Sequence, residues 1–292
     1  MSICKAVIPA AGFGTRMLPA AKAVPKELLP VLDRPVIQYV VEEAAEAGAD
    51  DVLLITSRQK RAIEDHFDRN DQLEHRLRSA GRESLLASVA ELAERVRIHC
   101  RRQAEPRGLG HAVLQAQQHV GREPFLCLLG DTIFSGEPAP ARQLVEAHAR
   151  LGTAVIALEQ VAPEKVSRYG IVAGDLVAEG TYKLRTLVEK PSPDSAPSRL
   201  AIAARYVLTP GIFKHLRAAA PGAGGEIQLT DALRSLLAHE PIHGIVLAAR
   251  RHDIGNPLDW LATNLIFAAR DSAMRRALAP LLRELLESAP TP

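Results

Sequence analysis

The chain has 292 residues, 47% of them hydrophobic and 24% charged, with a net charge of +2 at neutral pH. That is enough apolar material for one large core, and too little positive charge, too evenly spread, for a nucleic-acid surface. No apolar run approaches the ~20 residues needed to span a bilayer. Cys4, Cys100 and Cys127 have neither metal-ligand spacing nor an even count, which suits a reducing cytoplasm.

Residues 6–8 read as a short buried strand that runs into Pro9-Ala10-Ala11-Gly12-Phe13-Gly14-Thr15-Arg16. Pro9 and Gly12 break the N-terminal apolar run, so it lacks the pattern of a signal peptide. The glycines allow positive φ and close backbone approach, and N–H groups in such a loop form a nest for anionic oxygens. Thr15 adds a hydroxyl donor and Arg16 a planar fork suited to phosphate. Lys26 follows between Pro25 and Glu27, a compact cation on a stiffened segment. The stretch reads as a nucleoside triphosphate site. A P-loop is absent, and the dinucleotide fingerprint fails because Met17 stands where a third glycine belongs. The second strand, residues 52–55, also ends in Thr56-Ser57 where that fingerprint wants an acid.

Residues 36–45 have helical spacing, with Pro35 at the start and Gly48 as terminator. Strand, helix and strand of this length predict a right-handed parallel crossover. Residues 59–95 form a charged helical excursion, with Phe67, Leu73, Leu77, Leu85, Leu86, Val89 and Leu92 as inward positions and the charges as a solvated face. A strand at 96–100 leads to Gln103 and Gly108-Leu109-Gly110, then a helix at 111–119. The apolar strand 125–129 ends in Gly130-Asp131-Thr132.

The second half predicts strands at 153–158, 170–172, 182–188, 200–208 and 242–248. Helices are expected at 210–220, 229–238, 260–270 and 274–287, with a flexible break at 221–225. The class is α/β, with a mixed, mostly parallel sheet flanked by helices. Residues 1–270 are expected as one catalytic domain and 271–292 as a helical extension. Ligands of an open α/β sheet gather beyond the carboxyl ends of its strands, so the glycine loop and Asp131 should face one crevice.

Asp131 and Asp253 are each turn formers when taken alone. Together they make a candidate pair for Mg2+, which binds one or two carboxylates plus phosphate oxygens. Glu189-Lys190-Pro191 is either an exposed ion pair before a turn or a sugar-phosphate grip. Gln103 can donate and accept at once, as reading a pyrimidine edge requires, although a lone loop glutamine is usually solvated.

Taken in order, Gly12-Phe13-Gly14-Thr15-Arg16, Pro25-Lys26-Glu27, Gly108-Leu109-Gly110-His111-Ala112, Tyr169-Gly170, Val188-Glu189-Lys190-Pro191 and Gly225-Glu226-Ile227-Gln228-Leu229-Thr230-Asp231 resemble the bacterial UTP–glucose-1-phosphate uridylyltransferases, a family of sugar-1-phosphate nucleotidylyltransferases. The resemblance runs from about Lys5 to the helix at Trp260. It implies a Rossmann-like nucleotidyltransferase fold and Mg2+-dependent conversion of UTP and glucose 1-phosphate to UDP-glucose and pyrophosphate by a homodimer or homotetramer. It places Ala11, Gly12, Gln103 and Gly108 around uracil, with Gly14, Thr15 and Glu27 among the substrate-binding residues. Arg16 and Lys26 fall on the triphosphate, Asp131 and Asp253 on the metal, and Gly170, Glu189 and Lys190 on glucose 1-phosphate. One departure is Gly130, where the family usually has proline. That segment looks more like thymidylyltransferase relatives, and dTTP is the rival substrate. A silent regulatory relative that binds nucleotide sugars is the rival of another class.

Overall fold

A computed structural model describes residues 3–222 and 225–288. Part of the break expected at 221–225 therefore lies outside the described residues. In chain order, β1 (Lys5–Pro9) is followed by three single 3-10 turns and a small hairpin of β2 (Pro30–Val31) and β3 (Arg34–Pro35), then α1 (Val36–Glu46) and β4 (Asp51–Thr56). The excursion comprises α2 (Arg61–Phe67), α3 (Asp71–Ser79) and α4 (Glu83–Arg95). After it come β5 (Arg97–Arg102), α5 (Leu109–Leu114), α6 (Gln117–Val120), β6 (Phe125–Leu128), β7 (Thr132–Ser135) and α7 (Pro140–Leu151). The second half holds β8 (Ala154–Gln160), β9 (Gly170–Ala178), β10 (Thr181–Glu189), β11 (Leu200–Leu208), α8 (Ile212–Ala218), α9 (Leu229–Leu237), β12 (Ile242–Val246), β13 (Arg250–Asp253), α10 (Pro257–Arg270) and α11 (Ser272–Ser288).

Nine strands form one sheet in the order β5-β4-β1-β6-β11-β8-β12-β10-β9. Helices on both faces bury the central strands completely, which is why those strands read as unbroken apolar runs. Successive residues divide between two cores. Ile8, Leu54 and Leu126 join Val36, Val40 and Leu144 on one side, while Val7, Leu53 and Phe125 join Val113, Phe213 and Leu233 on the other. Pairing is parallel from β5 through β4 and β1 to β6, and again between β8 and β12. Every other pair is antiparallel, so the mostly parallel expectation holds for the first half alone.

Two sequence expectations need correction. In the excursion Ile63 and Phe67 are buried, but Leu73, Leu85 and Val89 are exposed. The buried residue of α3 is Glu74, which receives Nε and Nη2 of Arg69 at 3.1 and 2.5 Å. The helix expected at 111–119 is two short pieces, α5 and α6, joined through Gln115 and Ala116. Helix α7 and the strands β7 and β13 were not anticipated. The two strands are only four residues each, too short for periodicity to mark them.

Candidate active site

The glycine loop leaves β1 at the carboxyl edge of the sheet, where Ala10 N–H donates to the Ile55 carbonyl at 2.8 Å. Gly14 is left-handed at φ 67 and ψ 28. A Cβ there would stand 3.3 Å from Cγ and Cδ of Lys26, so glycine is what lets the lysine stem cross the loop. Ala11 is buried, while Gly12, Thr15 and Arg16 are exposed.

Beneath the loop, Lys60 Nζ donates to the Ala10 carbonyl at 2.6 Å and to Glu27 Oε1 and Oε2 at 2.8 and 2.7 Å. Burial pushes the Glu27 carboxyl up and the Lys60 ammonium down, against the pull of each on the other. Glu27 is 1% exposed, and both its oxygens are committed to Lys60. It braces the loop from below and does not reach the crevice as a substrate contact would. Lys60, which belongs to the segment expected as a solvated face, is buried instead. Its signal in the sequence was position: it ends the 3-10 turn that follows β4, where an open sheet gathers functional groups.

Lys26 reaches across the loop to Asp131, with Nζ 2.5 Å from Oδ2. Burial alone would lower the ammonium, but Asp131 and then Glu27 outweigh it and hold the pKa above its usual value. Burial would likewise raise Asp131, yet Lys26, the hydrogen bond and Arg16 keep that carboxyl below the ordinary range. Asp253 is brought to the same spot by strand pairing. β13 runs antiparallel to β7 with Asp253 opposite Thr132, and Ile254 N–H donates to the Asp131 carbonyl at 3.1 Å. Asp253 is raised above the usual aspartate value, first by burial and then by the charge of Asp131; Arg251, Arg16 and the Gly255 N–H only partly offset this. Two carboxylates that disturb each other in this way are a fitting donor set for a hard divalent cation. Among the described residues no group of three or more His, Cys, Asp or Glu could hold an ion by itself. A pair of carboxylates is what Mg2+ takes from a protein when phosphate oxygens supply further ligands.

A cleft of about 760 Å3 joins this cluster to the second half of the chain. Arg16, Asp131, Gly170, Glu189, Lys190 and Asp253 all line it. Glu189 stands opposite Gly170 in the β9–β10 ladder and accepts from Thr230 Oγ1 at 2.7 Å. Lys190 follows at φ 44, its Nζ 3.4 Å from Glu189 Oε1 and its side chain 57% exposed. A Cβ at Gly170 would meet Ile202 Cδ1 at 2.9 Å, Thr230 Oγ1 at 3.0 Å and Glu189 Oε2 at 3.3 Å, so only glycine fits beneath the carboxylate. The cleft also contains Arg168 and Arg251, which the sequence reading left without a role. Arg251 lies over the Tyr169 ring at 4.1 Å and pairs with Glu159.

Lys26, Glu27, Gln103, Gly108 and the loop residues Ala11, Gly12, Gly14 and Thr15 do not line this cleft, and Lys26 meets it only through its pair with Asp131. Gln103 N–H donates to the Thr56 carbonyl at 2.8 Å, which sets the side chain at the end of β4, next to the glycine loop. Its Nε2 donates to the Gly108 carbonyl at 3.2 Å and lies 2.9 Å from His111 Nδ1. Gly108, at φ 95, has no room for a Cβ against Glu226 and Ile227. Gly110 N–H donates to the Ile227 carbonyl and Ile227 N–H to the Arg107 carbonyl, both at 2.8 Å. Two sequence motifs thus meet as one packed unit.

A sequence profile described as Nucleotidyl transferase matches residues 5–269. A UTP–glucose-1-phosphate uridylyltransferase of Bacillus subtilis (strain 168) is 48% identical over 283 residues, spanning 97% of this chain and 95% of its own length. Among solved structures, a UDP-glucose pyrophosphorylase complexed with UDP-glucose superposes with a TM-score of 0.86 at 37% identity, covering 92% of this chain and 100% of that one. A UTP-bound UGPase from Acinetobacter baumannii gives 0.87 at 36% identity, covering 97% and 99%.

Proposed function

The chain belongs to the nucleotidyl transferase family, and we propose that it transfers the uridylyl group of UTP to glucose 1-phosphate, giving UDP-glucose and pyrophosphate. The observation that carries this reading is the joint cleft: Asp131, which Lys26 pairs from outside the lining, and Asp253 border it together with the Gly170, Glu189 and Thr230 cradle. Relatives at this identity bear that activity in their names.

The sugar phosphate is already ionised near neutral pH, so no base is required. One of its oxygens attacks the α-phosphorus of UTP, a new P–O bond forms, and the bond to the β-phosphate oxygen breaks in line. The two anions must be brought together against their repulsion, and the protein's part is positioning and charge compensation. Arg16 and Lys26 hold the triphosphate, and Lys190 grips the sugar phosphate. Glu189, steadied by Thr230, accepts from sugar hydroxyls. Lys26 is already stripped of most of its water, so its charge acts at reduced dielectric. Asp131 and Asp253 would hold Mg2+, which when bound supplies charge neutralisation between the phosphates. Gln103 and Gly108, with Ala11 and Gly12, read the uracil. Gly130 is a packing feature in this account: its missing Cβ leaves room for Ile37 and the Pro9 carbonyl at 3.1 Å.

In this reading residues 1–270 are the catalytic unit and 271–292 an extension, in keeping with a family match that stops at residue 269. The unit works as a homodimer or homotetramer, which the exposed Leu258, Leu261 and Leu265 of α10 favour. It works in the cytoplasm, a setting suited to the unpaired Cys100 and Cys127 thiols. No helix among the described residues is long and apolar enough to cross a membrane.

Pyrophosphate release from UTP, measured with and without glucose 1-phosphate and then with dTTP, tests the reaction. Release should require both UTP and the sugar phosphate. Release that ignores the sugar, or a higher kcat/KM with dTTP, would overturn it.

A further inference from the structure

Arg205 is 0% exposed in the middle of an apolar strand, and the reaction derived above gives it no part. A cation survives at that depth only when fully paired. Glu43 balances the charge, accepting from Nε at 3.0 Å on Oε1 and from Nη2 at 2.7 Å on Oε2. Main-chain carbonyls take further donor bonds. Nη2 donates to Thr132 O at 2.8 Å, and Nη1 to Leu129 O at 3.3 Å and Ala204 O at 3.1 Å. Leu129 and Thr132 bracket Asp131, so one guanidinium grips both ends of the turn that presents this aspartate.

The strand is distorted around this contact. Ile202 pairs with Leu158 and Tyr206 with Ile156, leaving residues 203–205 of β11 opposite Ala157 alone. Inside that bulge Ala204 takes φ 57, a left-handed conformation that costs any residue with a Cβ. Bulges of this kind re-aim side chains beside active sites. Here the bulge also points the Ala204 carbonyl at Leu129 N–H, which donates to it at 3.1 Å. Glu43 extends the arrangement to α7 by accepting from Ala141 N–H at 3.0 Å.

We infer that Arg205 is a positioning residue for the reaction, holding the turn from Leu129 to Thr132 so that the Asp131 carboxylate meets Lys26 and the divalent ion in one fixed orientation. The inference rests on the reading of Asp131 as an ion ligand. Groups that orient a metal's ligands affect its affinity without touching it. Lysine cannot replace the planar fork, because one ammonium cannot span a carboxylate and three carbonyls.

The test is Mn2+ binding to the full chain in the presence of UTP and no sugar phosphate, followed by water-proton relaxation so that no turnover is needed. Arg205→Lys should raise the Mn2+ Kd by ~10–100-fold, measured well below its Tm. Glu43→Gln leaves the carbonyl bonds of the guanidinium in place and should lower Tm while keeping the Kd near wild type. If Arg205→Lys does not fold, the neutral pair Glu43→Gln/Arg205→Gln buries no charge and carries the same expectation for the Kd. A folded Arg205 variant with wild-type Mn2+ affinity and only a lower Tm would overturn the inference. Unchanged Mn2+ binding in Asp131→Asn would overturn the reading beneath it.

Discussion

Lys26 and Asp131, 105 positions apart in the chain, meet with Nζ 2.5 Å from Oδ2 at the carboxyl edge of the sheet. In the proposed reading the contact joins the triphosphate half of the site to the metal half, and each charge keeps the other ionised despite burial. Lys26→Ala should fold and bind UTP yet lose turnover by orders of magnitude, because the charge counts most as the transition state forms. Steady-state kcat decides this. Activity within about a factor of two of wild type corresponds to only ~0.4 kcal/mol of barrier and would remove Lys26 from the site.

Asp253 has a consequence for stability. Its carboxyl is raised above 3.8, first by burial and then by Asp131. An acid whose pKa is higher folded than unfolded stabilises the fold below the unfolded value, and that contribution is lost as pH rises through the folded value. Asp253→Asn, which never ionises, should therefore raise the Tm of the metal-free protein at neutral pH. The gain should shrink as pH falls toward 3.8. Equal melting temperatures at neutral pH in a calorimeter would show that Arg251 and Arg16 already compensate the charge.

At the sugar end, Gly170→Ala places a methyl group against Thr230 Oγ1 and Glu189 Oε2. Displacing that carboxylate by part of an ångström should raise KM for glucose 1-phosphate by ~10–100-fold while KM for UTP stays near wild type. A parallel rise in both constants would mean that the cradle is not separate from the nucleotide site.

Gln103 is 6% exposed and partly engaged with Gly108 and His111. Gln103→Ala should narrow the preference for UTP over CTP by ~1–3 kcal/mol, the size of a lost buried hydrogen bond, with kcat for UTP largely kept. An unchanged ratio of the two kcat/KM values would show that Gln103 shapes the loop and reads nothing.

Lys60 and Glu27 are 6% and 1% exposed, and removing one partner leaves the other buried and uncompensated. Lys60→Met should cost ~3–5 kcal/mol in urea unfolding, with much of the loss recovered in Lys60→Met/Glu27→Leu. If the single and double variants lose equally, the bond from Lys60 to the Ala10 carbonyl matters more than the ion pair.

The sequence by itself determined what lies close along the chain. Residues 200–208 carry an apolar run that is β11 at the same bounds, and the strand at residues 6–8 running into a glycine loop is found as β1 with Gly14 left-handed after it, because local patterning sets both. Tertiary structure decided which distant groups meet. Asp253 reaches Asp131 through two four-residue strands whose ladder draws its stability from each other, not from any periodic signal of their own. Arg205 looks like an error in an apolar strand until a bulge in β11 turns it onto Glu43 and the Asp131 turn. Lys60 reads as a surface charge and Glu27 as a substrate contact, and burial revealed the two as a brace under the loop. In each case the deciding energy is the pairing of a charge stripped of water, and the partner that makes such burial tolerable is chosen by the fold, at a separation no local pattern encodes.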